Sequence, residues 1–302
     1  MTSVRDLVPL FRELNSLKRI RVAGRDGSLA ERLFRRSWRR LAAGDSLAAV
    51  AWEETAGAVA AARLSGIDAA VLQDVGLSED DARAVLRRGF DAAAGPLDLR
   101  LCADLRDALG GPTEREIGNA PPFVGLLAGQ PRAGATRPGY ARIVLEPAES
   151  HAEHCAIVAV QAVLAAPLYG ADVATAFLTG LAHHLHNAFL PDAGDAGDAL
   201  LGDLWRPMLE TFRARAICQL PPALGNPVRE SLDAVFRSDT PAGRTFQTAD
   251  VLDRVLEMEW HARSAAFTLR VALQDMDIVH PGPVQAFQQQ LVREAGLMPE
   301  TL

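Results

Sequence analysis

The chain has 302 residues, 49% of them apolar, and a formal net charge of −7. That apolar content can build a sizeable core, in one large domain or two ordinary ones, and the acidic balance makes nucleic acid an unlikely partner for the chain as a whole. Its apolar stretches, such as Cys155–Leu168 with Gln161 and Pro167 inside it, fall short of the roughly 18 residues of a membrane span, so no membrane helix is expected.

The opening Met-Thr-Ser-Val-Arg-Asp places an acid almost at once and has no apolar signal core, which points to the cytoplasm. Apolar residues at helical spacing recur through Leu7, Leu10, Phe11 and Leu14, then Phe34, Trp38 and Leu41, and again from Ser46 to Leu64. The first hundred residues therefore predict several short helices. Residues 1–40 hold 11 Lys or Arg against 4 Asp or Glu. Within them Arg32, Arg35, Arg36, Arg39 and Arg40 share one helical face, which reads as a solvated basic stripe. Lys18 is the only lysine, so the abundance of arginine partly reflects a preference of the whole chain. Ser78-Glu-Asp-Asp supplies an N-cap and acids for a first turn, predicting a helix over 78–92.

Between Gly110 and Gly139 the text becomes Gly-Gly-Pro, Ala-Pro-Pro, Gly-Gln-Pro and Arg-Pro-Gly, punctuation unsuited to the interior of a regular element. This predicts a linker over 111–139, between a helical N-terminal domain (1–110) and a second domain (140–302). Helical periodicity returns from Ile143, broken at Pro167, around Pro191–Asp198, at Pro221 and Pro222, and at Pro281 and Pro283. Alternating strand patterns are absent, so the fold class is all-α. Cys102, Cys155 and Cys218 are far apart and form no Cys-x-x-Cys pair, so they read as reduced core thiols.

Five of the seven histidines lie between 151 and 186, in His151-Ala-Glu-His154 and His183-His184-Leu-His186-Asn187. Clustered neutral imidazoles are what a divalent transition ion such as Zn, Fe, Mn, Co or Ni attracts. A helix is predicted over 151–166, ended by Pro167-Leu-Tyr-Gly170, and Asp172 can cap a second helix running through His186. So short a connection demands antiparallel neighbours. The legs from His154 to Ala166 and from Asp172 to His183 are each roughly 17 to 18 Å at about 1.5 Å per residue, so His154 and His183 should meet at one end of the hairpin.

At this point the residues resemble the HD superfamily of metal-dependent phosphohydrolases. Glu149-Ser-His-Ala-Glu-His154 is similar to the Glu-Ser-Val-Ala-Glu-His-Ser segment of its 5′-deoxynucleotidase branch, and Thr248-Ala-Asp250-Val-Leu resembles the Ala-Asp that supplies the last ligand. The likeness covers roughly residues 140 to 270. It implies one ion held by His154, His183, His184 and Asp250, with Asp192 at the place of an aspartate that contacts substrate. In the family the later aspartate opens a helix, and an aspartate after Thr248 would also suit a helix start without any metal. Asp253 and Glu257 follow on an exposed-looking stretch.

Two departures matter. His184 stands where the family has the aspartate of its His-Asp pair, and Asn187 stands where it has a glutamate that helps activate water. His184 can still coordinate, with less charge for a hard cation, whereas Asn187 cannot accept a proton at neutral pH. His151 and His186 each lie three residues from a proposed ligand and would share its helical face, within reach of a second metal or a substrate phosphate. His261 and His280 read as structural.

Asp192-Ala-Gly-Asp-Ala-Gly-Asp198 lacks the twelfth-position glutamate of a calcium loop and reads as a mobile loop. Walker, dinucleotide-fingerprint and Gly-x-Ser-x-Gly motifs are absent. The expectation is a helical HD-type domain hydrolysing a small phosphorylated molecule such as a nucleotide. Asp192, Asn187 and His186 are the candidate catalytic residues, and Arg137, Arg142 and His151 would bind substrate. The competing readings are a degenerate domain that only senses or binds, and a di-iron oxygenase of the same superfamily. The sequence leaves room for a homodimer.

Overall fold

The computed structural model describes residues 2–110, 118–264 and 268–298, and among them the regular structure is helical, with isolated bridges but no strand. The chain is all-α. In order the helices are α1 (Val4–Ser16), α2 (Leu29–Ala43), α3 (Leu47–Leu64), α4 (Ala69–Asp74), α5 (Glu79–Ala93), α6 (Leu99–Asp107), α7 (Pro122–Gly129), α8 (His151–Tyr169), α9 (Val173–Ala182), α10 (Gly194–Leu201), α11 (Trp205–Ile217), α12 (Pro222–Leu232), α13 (Pro241–Ser264) and α14 (Gln285–Glu294).

The organising element is α8, whose residues His151 to Ala166 are all buried. A helix that is apolar all round needs partners on every side, and α1, α2, α3, α7, α9 and α13 pack around it. It is the one described helix long and apolar enough to cross a membrane, and 83% of its apolar window is buried inside the protein. Sequence reasoning discounted it because of Pro167, yet the helix continues to Tyr169, and the left-handed Gly170 (φ 68°) is what ends it. Its N-terminus is fixed by a capping box between Ser150 and Glu153. Glu153 also accepts a 2.6 Å hydrogen bond from Ser28, the N-cap of α2.

Helices from both ends of the chain contribute to one apolar cluster that includes Val4, Phe34, Phe90, Ile157, Leu252 and Leu297. The stretch expected as a linker contains α7. Pro122 sits in its first turn, where a missing N–H costs nothing, and Phe123, Val124 and Leu127 are buried. The Phe123 ring meets Trp38 edge-on at 5.0 Å. Gly111 and Pro112 lie outside the described residues.

The basic stripe on α2 also differs from expectation. Arg36 and Arg40 reach the buried Glu54 on α3 at 2.6 and 3.2 Å, and Arg40 also pairs with Asp45 and Glu53 at 2.8 and 2.6 Å. Two of the five arginines thus join α2 to α3, and Arg35 pairs with Glu31 of its own helix at 2.8 Å. Of the cysteines only Cys155 is a core thiol, since Cys102 is half-buried and Cys218 exposed. Residues 194–201, expected as loop, form α10.

The α8–α9 hairpin is tight because Gly180 lies against α8. A Cβ at Gly180 would fall 2.5 Å from Ala159 Cα and 2.6 Å from its nitrogen, and backbone cannot rotate aside. Although alanine has the better helix propensity, overpacking should win: Gly180→Ala is expected to lower stability by about 1–3 kcal/mol in chemical denaturation. Unchanged or increased stability would mean the two helices have slack between them.

Candidate metal centre

His154 occupies the first turn of α8, and the end of α9 delivers His183 and His184. Helix α9 stops at Ala182, short of the expected end at His186, and Leu185–Ala188 form a 3₁₀ turn. The turn swings His184 toward α8, so three imidazoles converge. Ring centroids are 5.0 Å apart for His154 and His183, 4.2 Å for His183 and His184, and 5.2 Å for His154 and His184. A coordinating nitrogen from each of the three lies within 4.8 Å of the others.

Each ring has its Nδ1 against an oxygen. His154 Nδ1 donates to Asp253 Oδ2 at 2.7 Å, His183 Nδ1 to the Gly180 carbonyl at 2.7 Å, and His184 Nδ1 to Asn187 Oδ1 at 2.8 Å. With the proton held on Nδ1, each Nε2 carries a lone pair. Nε2 of His154 and of His183 is buried without a hydrogen-bond partner, which costs free energy unless something else occupies the lone pair.

Asp250, on α13, approaches two of the three imidazoles. Its Oδ1 lies 3.2 Å from His154 Nε2 and 3.8 Å from His183 Nε2, and the shorter approach lacks hydrogen-bond alignment. Two ligands each about 2.0–2.2 Å from a shared ion sit roughly 3 to 3.6 Å apart, a range that holds the His154 approach, while the His183 approach is slightly wider. Arg254, one turn along α13, holds the other oxygen, Oδ2, at 3.1 Å. Burial alone would raise the Asp250 pKa, but Arg254 and the two imidazoles outweigh it and keep the carboxylate ionised. Asp250 lies in the interior of α13, not at a helix start. The backbone dipole therefore does not explain it.

Beneath His154 lies a buried charge cluster that sequence reasoning missed. Lys18 Nζ contacts Asp253 at 2.8 Å, Glu149 at 2.5 Å and Glu257 at 3.5 Å. Asp253 and Glu257, read from sequence as exposed, are 0% and 1% exposed. Burial opposes charge on Lys18, yet the three carboxylates reverse that and hold it protonated. Burial likewise opposes charge on Asp253, and Lys18 with His154 keeps it ionised. Glu149 goes the other way: burial, with repulsion from Glu257, pushes it up despite Lys18 and Arg132.

His151 lies against His184, ring to ring at 4.7 Å, and its Nε2 is 3.4 Å from Asp192 Oδ2. Asp192 is held by the amides of Ala133 and Gly194, both at 2.9 Å. His186 is buried, its ring 5.6 Å from that of His184. Asn187 is turned onto His184 and the Leu190 carbonyl, so it orients an imidazole. A cavity of about 390 Å³ opens above these groups, with Asp192, His186, Arg132, Arg213 and Arg254 in its walls. Arg137 and Arg142 are not among its lining residues: Arg137 pairs with Asp277 at 3.1 Å, and Arg142 donates to the Ala193 carbonyl at 3.2 Å. His280, read as structural, lines the cavity, while His261 pairs with Glu257 at 3.0 Å.

Compared with known protein families, curated proteins and solved structures, the chain matches none.

Burial, with His154 next, pushes His183 down to about 3, and burial with Arg213 pushes His186 down to about 3. An unfolded histidine protonates near pH 6.5. Between about pH 6.5 and 3 the unfolded chain binds protons that the folded protein refuses, so this contribution is complete above pH ~6.5 and declines as pH falls. Metal-stripped protein should show a level thermal midpoint above about pH 7 and a falling one from about pH 6.5 to 4. A midpoint that stays level through that window would mean the rings already carry protons in the folded state.

Proposed function

We propose that the chain is an HD-type metal-dependent phosphohydrolase acting on a phosphomonoester such as a nucleotide. In this reading one divalent transition ion is held by His154, His183, His184 and Asp250. The observation that carries it is a pair of buried imidazoles, His154 and His183, each with Nδ1 on an oxygen and Nε2 without a hydrogen-bond partner, facing Asp250 Oδ1 with the His184 ring beside them. Carboxylate–histidine pairs such as Asp253–His154 fix the ligating tautomer in metal sites. The mixed nitrogen and oxygen donor set fits Zn, Fe, Mn, Co or Ni.

When bound, such an ion supplies Lewis acidity toward a phosphoryl oxygen and toward water. The chain's own groups divide the remaining work. Asp192, pinned by two amides with Oδ2 facing His151, is placed to take a proton from water in the cavity, the task Asn187 cannot perform. Arg254 keeps Asp250 aligned. The engagement of Asn187 with His184 also favours a second reading, a binding domain of the same architecture that has lost hydrolysis.

Restoring the family's acids separates the two. Metal-loaded wild type should turn over a nucleoside monophosphate slowly, and His184→Asp with Asn187→Glu should raise the rate. General-base assistance is typically worth about 100-fold to 10,000-fold. If neither protein hydrolyses any phosphomonoester while both bind metal, the hydrolase reading fails and the binding domain stands.

A further inference from the structure

On the cavity wall beyond His184, α11 packs against the 185–188 turn and places Arg213 in the same cavity as His186. Arg213 Nε and Nη2 are buried and have no hydrogen-bond partner among the described residues, and His186 Nδ1 is in the same condition. The carboxylates nearest in effect, Glu210 and Asp233, act on Arg213 through longer-range attraction, and burial dominates by disfavouring its charge. A guanidinium desolvated this far without a partner destabilises the fold. Arg254 Nε faces the same space without a hydrogen-bond partner, although the rest of that guanidinium holds Asp250, and His280 Nδ1 lies 3.9 Å from Asp195 Oδ2.

Arg213 and His186 have one chemistry in common, since each can present an N–H to an oxygen and neither has a hydrogen-bond acceptor against it. We propose that Arg213 and His186 form an oxyanion subsite that binds phosphate within this cavity. The planar guanidinium suits two oxygens of one phosphate, and charge-assisted hydrogen bonds of this kind are the strong ones. The rest of the cavity limits what the anion is attached to. Asp192, Asp195 and Asp198 line it as well and disfavour a polyanion, so the ligand is a monophosphate whose remainder carries hydrogen-bond donors. A cavity of about 390 Å³ holds a molecule of that size.

The identification of phosphate as the natural anion rests on the hydrolase reading. The subsite itself uses none of the four proposed metal ligands, so the two can fail separately. The experiment is calorimetric titration of inorganic phosphate into chelator-treated protein, with chloride at equal ionic strength as the control. Wild type should bind phosphate without metal. Arg213→Gln should weaken binding by about tenfold or more, as loss of charge-assisted hydrogen bonds predicts, and Arg213→Lys should recover part of it. His186→Phe should weaken it while keeping the buried ring.

Because Arg213 has no partner to orphan, Arg213→Gln should melt at or above the wild-type temperature, which separates a binding role from a structural one. Should Arg213→Gln not fold, His186→Phe and Arg213→Lys carry the comparison. Phosphate affinity equal in wild type and the folded variants, or no phosphate binding by metal-free wild type, would overturn the subsite. Arg213-dependent phosphate binding in a protein that takes up no metal would leave the subsite standing and remove the hydrolase.

Discussion

The site depends on one buried ammonium group. Lys18, at the end of α1, lies among Glu149, Asp253 and Glu257, three carboxylates that could not otherwise share that interior. Removing one member of such a buried set typically costs about 3–5 kcal/mol, because the remaining charges are stranded. What Lys18 secures here is the ionisation of Asp253, which accepts the Nδ1 proton of His154 and turns Nε2 toward Asp250. A residue from the first turns of the chain thereby sets the tautomer of a histidine on the central helix. Arg19 adds to the same joint through Glu257. The N-terminal segment is thus structurally part of the centre.

The hairpin that joins the histidines was legible because it follows from spacing alone. Two helical legs of equal length joined by a short turn must return His183 to the level of His154, and the rings lie 5.0 Å apart. Other features could not be read this way. Asp250, Asp253 and Glu257 at spacings of three and four describe a polar face, and a polar face ordinarily meets water. Nothing local says that this one meets a lysine more than 230 residues away. The signal that could have exposed it is compositional: a chain with a single lysine, in a background of arginine, uses that lysine at its most crowded acidic site. The arginines of α2 misled for the related reason that their partners, Glu53 and Glu54, come from the next helix.

His184 and Asn187, the two positions that differ from the resembled motif, act together in the structure. A histidine at 184 brings an Nδ1 proton that needs an acceptor close by, and Asn187 supplies it at 2.8 Å. An amide serves that purpose without adding charge beside Asp250 and Asp192. A third imidazole, where the resembled motif has an acid, makes the donor set better suited to softer transition ions than to hard cations such as magnesium. The early end of α9 belongs to the same arrangement: the Gly180 carbonyl is occupied by His183 Nδ1, and the chain tightens into a 3₁₀ turn that brings His184 inward.

The central claim is that His154, His183, His184 and Asp250 share an ion, and elemental analysis tests it most directly. Protein purified without added metal, or metal-stripped and reconstituted, should carry about one equivalent of a divalent transition metal per chain, with His183→Ala and Asp250→Ala each losing most of it while remaining helical by circular dichroism. Wild-type protein that stays metal-free after reconstitution, or variants that retain the full equivalent, would contradict the account.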